Sequence, residues 1–268
     1  MPKSSGHVKA EVARFEVRTL DQLVIDDERS FRHVALYADL KDILLRDRYE
    51  FRVLPPALAG RWDRALLLNL TFWATGTGGD VLDSDHVPAD VVAHAAWHHL
   101  AARALPSRSA EALFLGEAIA SAFDLYLVGR LLGHAPDSSF LATQAPAMAD
   151  VAQAAGLPAA EFEALLASVA REPERAFEDL RALLVDATGA LMRCRDADEA
   201  LAALAPLDAH RFGALLHRYE LSNWVLYARA YADAGAPDAA ASEIDRALRA
   251  PDVVALDWLA ARWVGAPL

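Results

Sequence analysis

His94, His98 and Glu117 have the types and the spacing of a metal site. Residues four apart on a helix share a face. In the segment 91–105, His94 and His98 can therefore aim two imidazoles at one ion, with Asp90 one turn earlier on the same face. Glu117 lies in the apolar segment 110–132, beyond a Pro106-Ser107-Arg108 turn, and can bring a carboxylate to the other side of that ion. Two imidazoles and one carboxylate with open positions form a donor set for zinc, and equally for non-haem iron(II) and oxygen chemistry. The bland alternative is a half-buried histidine pair that hydrogen-bonds a facing Glu without metal.

The elements that would position these residues read as helices. Apolar positions recur at helical spacing from Val34 to Leu44, with Ser30 as N-cap of a helix that ends near Arg46. A second apolar segment, 57–73, follows Pro55-Pro56 and ends at Gly76. The loop 76–88 carries Asp80, Asp83, Asp85 and His86, without the terminal Glu of a calcium loop. Helical segments are predicted at 159–170, 173–191, 197–204 and 209–221. The Ala-, Pro- and Asp-rich stretch 135–158 reads as a connector, which puts a boundary near residue 140 between a site-bearing part, 1–140, and a C-terminal bundle, 141–268. Residues 8–25 alternate loosely and suit a short strand or an irregular arm. The expected class is mainly α, a helical bundle with a short N-terminal strand region.

With 268 residues, 54% of them hydrophobic, the chain can bury a core. A net charge of −12 disfavours nucleic acid and anionic membrane surfaces and leaves a protein or peptide as the partner class. No window is expected to reach a membrane-spanning length, the best being 65–74, and no signal peptide stands at the start. Cys194 is the single cysteine, so no intramolecular disulfide forms, and a cytoplasmic location is the expectation.

The run Val91-Val92-Ala93-His94-Ala95-Ala96-Trp97-His98, followed by Gly116-Glu117-Ala118-Ile119, resembles the active-site helices of the gluzincin (thermolysin-like) metallopeptidases. The resemblance covers about 40 of the 268 residues. It implies zinc ligation by His94, His98 and Glu117. Ala95 replaces the family's catalytic Glu, and Ser121 replaces its Asp after the ligand Glu. Asp124, two turns beyond Glu117, is the substitute that can orient a ligand, and Asp90, His99 or Glu111 are the candidate substitute bases. Residues 221–251, with Trp224, Ala228, Tyr231, Gly235, Ala240, Ile244 and Ala247, resemble one tetratricopeptide hairpin, in which Trp224, Tyr231 and Ile244 would fill the space between two helices. The functional expectation is a zinc-binding, gluzincin-like protein, either a degenerate metallopeptidase or a metal-dependent hydrolase with a non-standard general base. Its alternatives are a non-catalytic helical interaction module and an iron(II) oxygenase.

Overall fold

The apolar periodicity that runs through most of the chain is realised as helix in the computed structural model, which describes residues 14–72, 80–233 and 238–265. In chain order the elements are β1 (Glu16–Thr19), β2 (Val24–Asp26), α1 (Glu28–Phe31), α2 (Ala35–Arg46), β3 (Glu50–Val53), α3 (Trp62–Phe72), β4 (Val81–Leu82), β5 (His86–Pro88), α4 (Ala89–Ala104), α5 (Ala110–Leu131), α6 (Ser139–Ala154), α7 (Ala159–Arg171), α8 (Pro173–Arg193), α9 (Ala197–Leu204), α10 (Leu221–Tyr231), α11 (Ala239–Leu248) and α12 (Ala255–Leu259). A π-helical turn, Ala260–Val264, follows α12. The protein is mainly α-helical, as its sequence pattern requires.

The contacts divide the chain into two units, 1–24 with 45–87 and 25–44 with 88–268, and residue 140 lies inside α6. In the first unit β1 runs antiparallel to β3, with Glu16 opposite Val53, and β4 runs parallel to β3. Leu54, Ala65 and Val81 form its core under Leu58 and Leu68. The outward backbone groups of Val81 on edge strand β4 are answered by Asn69 of α3, which donates to Val81 O at 2.9 Å and accepts from Val81 N at 2.7 Å. A side-chain amide thus stands where another strand would pair. Residues 8–13 of the anticipated N-terminal strand region lie outside the described residues.

In the second unit α5 is the central element and packs chiefly on α8 and α4, with α7, α10 and α11 completing its surroundings. At Gly116 an added Cβ would stand 3.2 Å from Ala101 Cβ, and at Gly129 it would stand 2.7 Å from Val169 O. Glycine at these two places lets α4 and α7 approach the α5 backbone closely. Helix α5 is also long and apolar enough to cross a membrane, which corrects the expectation that no segment reaches that length, but 83% of its most apolar window is buried. Its apolar surface is taken up by neighbouring helices.

Four further expectations change. The stretch 135–158 contains the 16-residue α6, with Pro146 inside it, and is no mere connector. Its start is secured from far away in sequence: the Asp27 carboxylate accepts from Ser139 N at 2.8 Å and from Ser138 Oγ at 2.7 Å. Burial acts against Asp27 ionisation, yet hydrogen bonds from Ser30, Ser138 and Ser139 hold its carboxyl below the usual range. Ser30 accordingly bonds Asp27 and sits within α1 instead of capping a continuous helix. Within 209–221 the chain forms a 3₁₀ helix, Gly213–Tyr219, that ends at Glu220 with φ of 49°. In the tetratricopeptide-like segment α10 rests on α8 and α5 and α11 rests on α5; Trp224 is buried, whereas Tyr231 is 60% exposed.

Arg181 of α8, fully buried, ties α8 to α11. Its Nε and Nη2 donate to Glu178 at 2.7 Å each, and its Nη1 donates to Asp245 at 2.6 Å. Removing one member of a buried ion pair leaves charge unanswered. Arg181→Ala is expected to lower unfolding free energy by about 3–5 kcal/mol in urea titrations. Arg181→Met, which refills the volume, should lose clearly less.

Candidate functional site

The chain enters α4 through Pro88, whose extended backbone starts the helix, and enters α5 through Ser109, whose side chain accepts from Ala112 N at 3.0 Å. Helix α4 buries Val92, Ala93, Ala95, Ala96, Trp97, Leu100 and Ala101, so that Asp90, His94 and His98 remain at a half-buried face. Helix α5 is buried on nearly every side, and Glu117 and Asp124 share one of its faces because they are seven residues apart. The close passage of Gly116 and Ala101 brings these two faces together.

The four polar side chains form a continuous set. His94 Nδ1 lies 3.1 Å from Asp124 Oδ2, His94 Nε2 lies 3.0 Å from His98 Nε2, and His98 Nε2 lies 3.6 Å from Glu117 Oε2. The imidazole centroids are 4.8 Å apart at 57°. The side chains of His94, His98 and Asp124 are 31%, 30% and 34% exposed, and that of Glu117 is 14% exposed. The set is therefore open to solvent.

Proton bookkeeping follows from the partners. An ionised carboxylate only accepts, so His94 donates Nδ1–H to Asp124, and the neutral ring then presents the lone pair of Nε2. His98 Nε2 faces that lone pair. It can donate a proton to it, or both nitrogens can turn lone pairs toward a cation. Two nitrogens on a tetrahedral ion, at metal–nitrogen distances of roughly 2.0–2.1 Å, stand about 3.3 Å apart. The observed 3.0 Å and 3.6 Å separations bracket that value. As they stand, the described residues include no group of three or more His, Cys, Asp and Glu side chains gathered around one point to hold an ion.

Asp90 and Asp124 supply the rest of the electrostatics. Burial, with the Asp124 charge nearby, pushes the Asp90 carboxyl up to about 6, against the pull of His94 and of the backbone amides at the start of α4. Asp124 Oδ1 is buried and accepts no hydrogen bond among the described residues. Two tyrosines that sequence reasoning missed contribute. Burial and the Asp124 charge push the Tyr219 phenol up, against Arg218, and burial together with Glu28 and Asp90 does the same to Tyr37. Neither residue carries a spacing signal, since both feel the site's charges from elements distant in sequence.

The remaining candidates lie elsewhere. Ala95 is fully buried, and Glu111 is exposed in the first turn of α5. His33 and His134 stack on each other at 4.7 Å, with His33 Nε2 2.8 Å from Arg130 O, and His210 accepts from Phe212 N. None of these last three histidines joins the set.

The Asp90 environment has a stability consequence. A carboxyl held above its ordinary 3.8 binds its proton more tightly in the folded state, so the associated stabilisation is complete below pH 3.8 and is lost as pH rises through about 6. Asp90→Asn should therefore raise the melting temperature of chelator-treated protein at pH 8, by on the order of a few degrees, and give no gain at pH 4. A melting series between these limits checks it; an equal gain at both ends would rule out the ionisation of Asp90 as its source. Comparison with protein-family models, with curated proteins and with solved structures finds no match to this chain in any of the three.

Proposed function

We propose that the protein binds one divalent metal ion through His94, His98 and Glu117, zinc ahead of iron, and serves as a metal-dependent hydrolase. The observation that carries this reading is the opposition of two Nε2 atoms at 3.0 Å, with His94 Nδ1 held 3.1 Å from the Asp124 carboxylate. Glu117 beside His98 supplies the negative charge that a divalent ion prefers over a proton. Asp124 has the role of fixing the His94 tautomer and ring orientation, the usual task of a carboxylate behind a ligating imidazole.

Zinc held there would supply a polarised water and Lewis-acid polarisation of a carbonyl or phosphoryl oxygen. With Ala95 in place of a general base, proton transfer falls to another group. Asp90 is the candidate, because a carboxyl that titrates near 6 can accept and return a proton close to neutral pH. Partial exposure of the imidazoles leaves room for a substrate at the open face.

Elemental analysis of untagged protein tests the reading, with His94→Ala/His98→Ala as the control. One zinc per chain is expected in the native sequence and none in the double variant. Asp124→Asn should retain the fold and weaken zinc affinity by about 10- to 100-fold. Absence of metal from the native sequence, both as purified and after zinc dialysis, would leave the imidazole pair as a hydrogen-bonded structural feature.

A further inference from the structure

A cleft of about 1040 Å³ opens among the α6–α7 turn, the C-terminal end of α8, α9, the 3₁₀ helix Gly213–Tyr219 and α10. Leu157, Leu191, Leu204 and Val225 contribute to its apolar lining, and Leu226 stands in it 61% exposed. Beside the lining residue Ala200, Leu201 is 70% exposed. Single exposed leucines need no explanation, but two of them at an apolar cleft mark a surface that lowers its free energy when covered.

The charges around the cleft indicate what covers it. Its cations are already engaged by the protein. Arg195 is paired with Glu199, and Arg229 donates to the carbonyls of Leu191 and Cys194, at 3.0 Å and 2.9 Å, at the end of α8. Glu161 and Asp208, also in the lining, have no cationic partner among the described residues, and Asp196 and Glu220 add further negative charge. An apolar lining with unneutralised carboxylates, in a chain of net charge −12, selects a cationic and amphipathic occupant. A second copy of this chain would bring the same acidic surface to an isologous contact and juxtapose like charges.

We propose that the cleft between α8, α9 and α10 docks a short amphipathic segment of a partner protein, whose apolar side chains lie along Leu204, Val225 and Leu226 and whose Lys or Arg residues meet Glu161 and Asp208. This docking surface is independent of the metal reading, since it shares no residue with the His94 set. Its recognition mode is an apolar face laid in a groove with charge at the rim.

The test uses the full chain and two labelled synthetic peptides. One has Leu at i, i+3, i+4 and i+7 with Lys elsewhere, and the other has the same Leu pattern with Glu. Fluorescence anisotropy should show saturable one-to-one binding of the Leu/Lys peptide that weakens as salt rises, and none of the Leu/Glu peptide. Leu226→Lys, at an exposed position that leaves the core intact, should weaken binding at least about tenfold. Glu161→Gln/Asp208→Asn should flatten the salt dependence. Circular dichroism confirms that each variant is folded. Equal affinity of Leu226→Lys and the native chain, binding of the Leu/Glu peptide, or no saturable binding would each overturn the proposal. So would a concentration-dependent dimer that Leu226→Lys dissolves, which would make a second copy the occupant.

Discussion

A helix enclosed by other helices can carry a carboxylate only where that carboxylate is answered, and this constraint on α5 organises the second unit. Of its 22 residues, 16 are buried, and it nonetheless carries the half-buried Glu117 and Asp124. An unpaired charge in such surroundings costs several kcal/mol and is avoided by pairing or by protonation. Their seven-residue spacing puts both acids on one face, and α4 presents His94 and His98 there. The small residues Gly116 and Ala101 set the closeness of that contact. The site is thus the place where the packing of α5 and its composition are reconciled.

The reconciliation is incomplete in an informative way. Asp124 gives one oxygen to His94 while its other oxygen, buried, has no hydrogen-bond donor among the described residues. Asp90 retains its proton up to about 6 because burial and the Asp124 charge oppose its ionisation. A fold selected for stability alone would replace such carboxylates with apolar residues of similar size. Groups left at a cost in free energy, at a partly exposed face beside two imidazoles, are where chemistry concentrates.

Helical periodicity in the sequence located α2, α3 and α7–α11, and the i, i+4 rule placed His94 and His98 together on one face beside Glu117. What it did not locate depends on contacts between distant residues. Helix α6 looks like a connector because it contains Pro146 and because the carboxylate at its start comes from Asp27, 112 residues before Ser139. The 3₁₀ helix Gly213–Tyr219 begins at a crowded place that no periodicity records: a Cβ on Gly213 would stand 2.5 Å from Leu207 O. Strand β3 carries only four residues, and its pairing with β1 and β4 joins segments far apart in the chain. Tyr37 and Tyr219 reach the acidic pair from α2 and from the 3₁₀ helix, so spacing along α4 and α5 gives no hint of either.

The same geometry bears on whether the histidines are structural or functional. Two half-buried imidazoles could be held by a facing Glu alone, and one hydrogen bond per ring would satisfy them. In this chain Asp124 accepts a hydrogen bond from His94 Nδ1–H, and in the neutral ring this leaves the Nε2 lone pair facing His98 Nε2. His98 Nε2 stands between His94 Nε2 at 3.0 Å and Glu117 Oε2 at 3.6 Å. Metal binding at imidazole and carboxylate donors displaces protons from them, so the protonation of this pair and any metal affinity are linked. Removal of the Asp124 carboxylate would free the Nδ1 proton of His94 to move to Nε2. The carboxylate on α5 therefore decides the chemical character of the pair on α4.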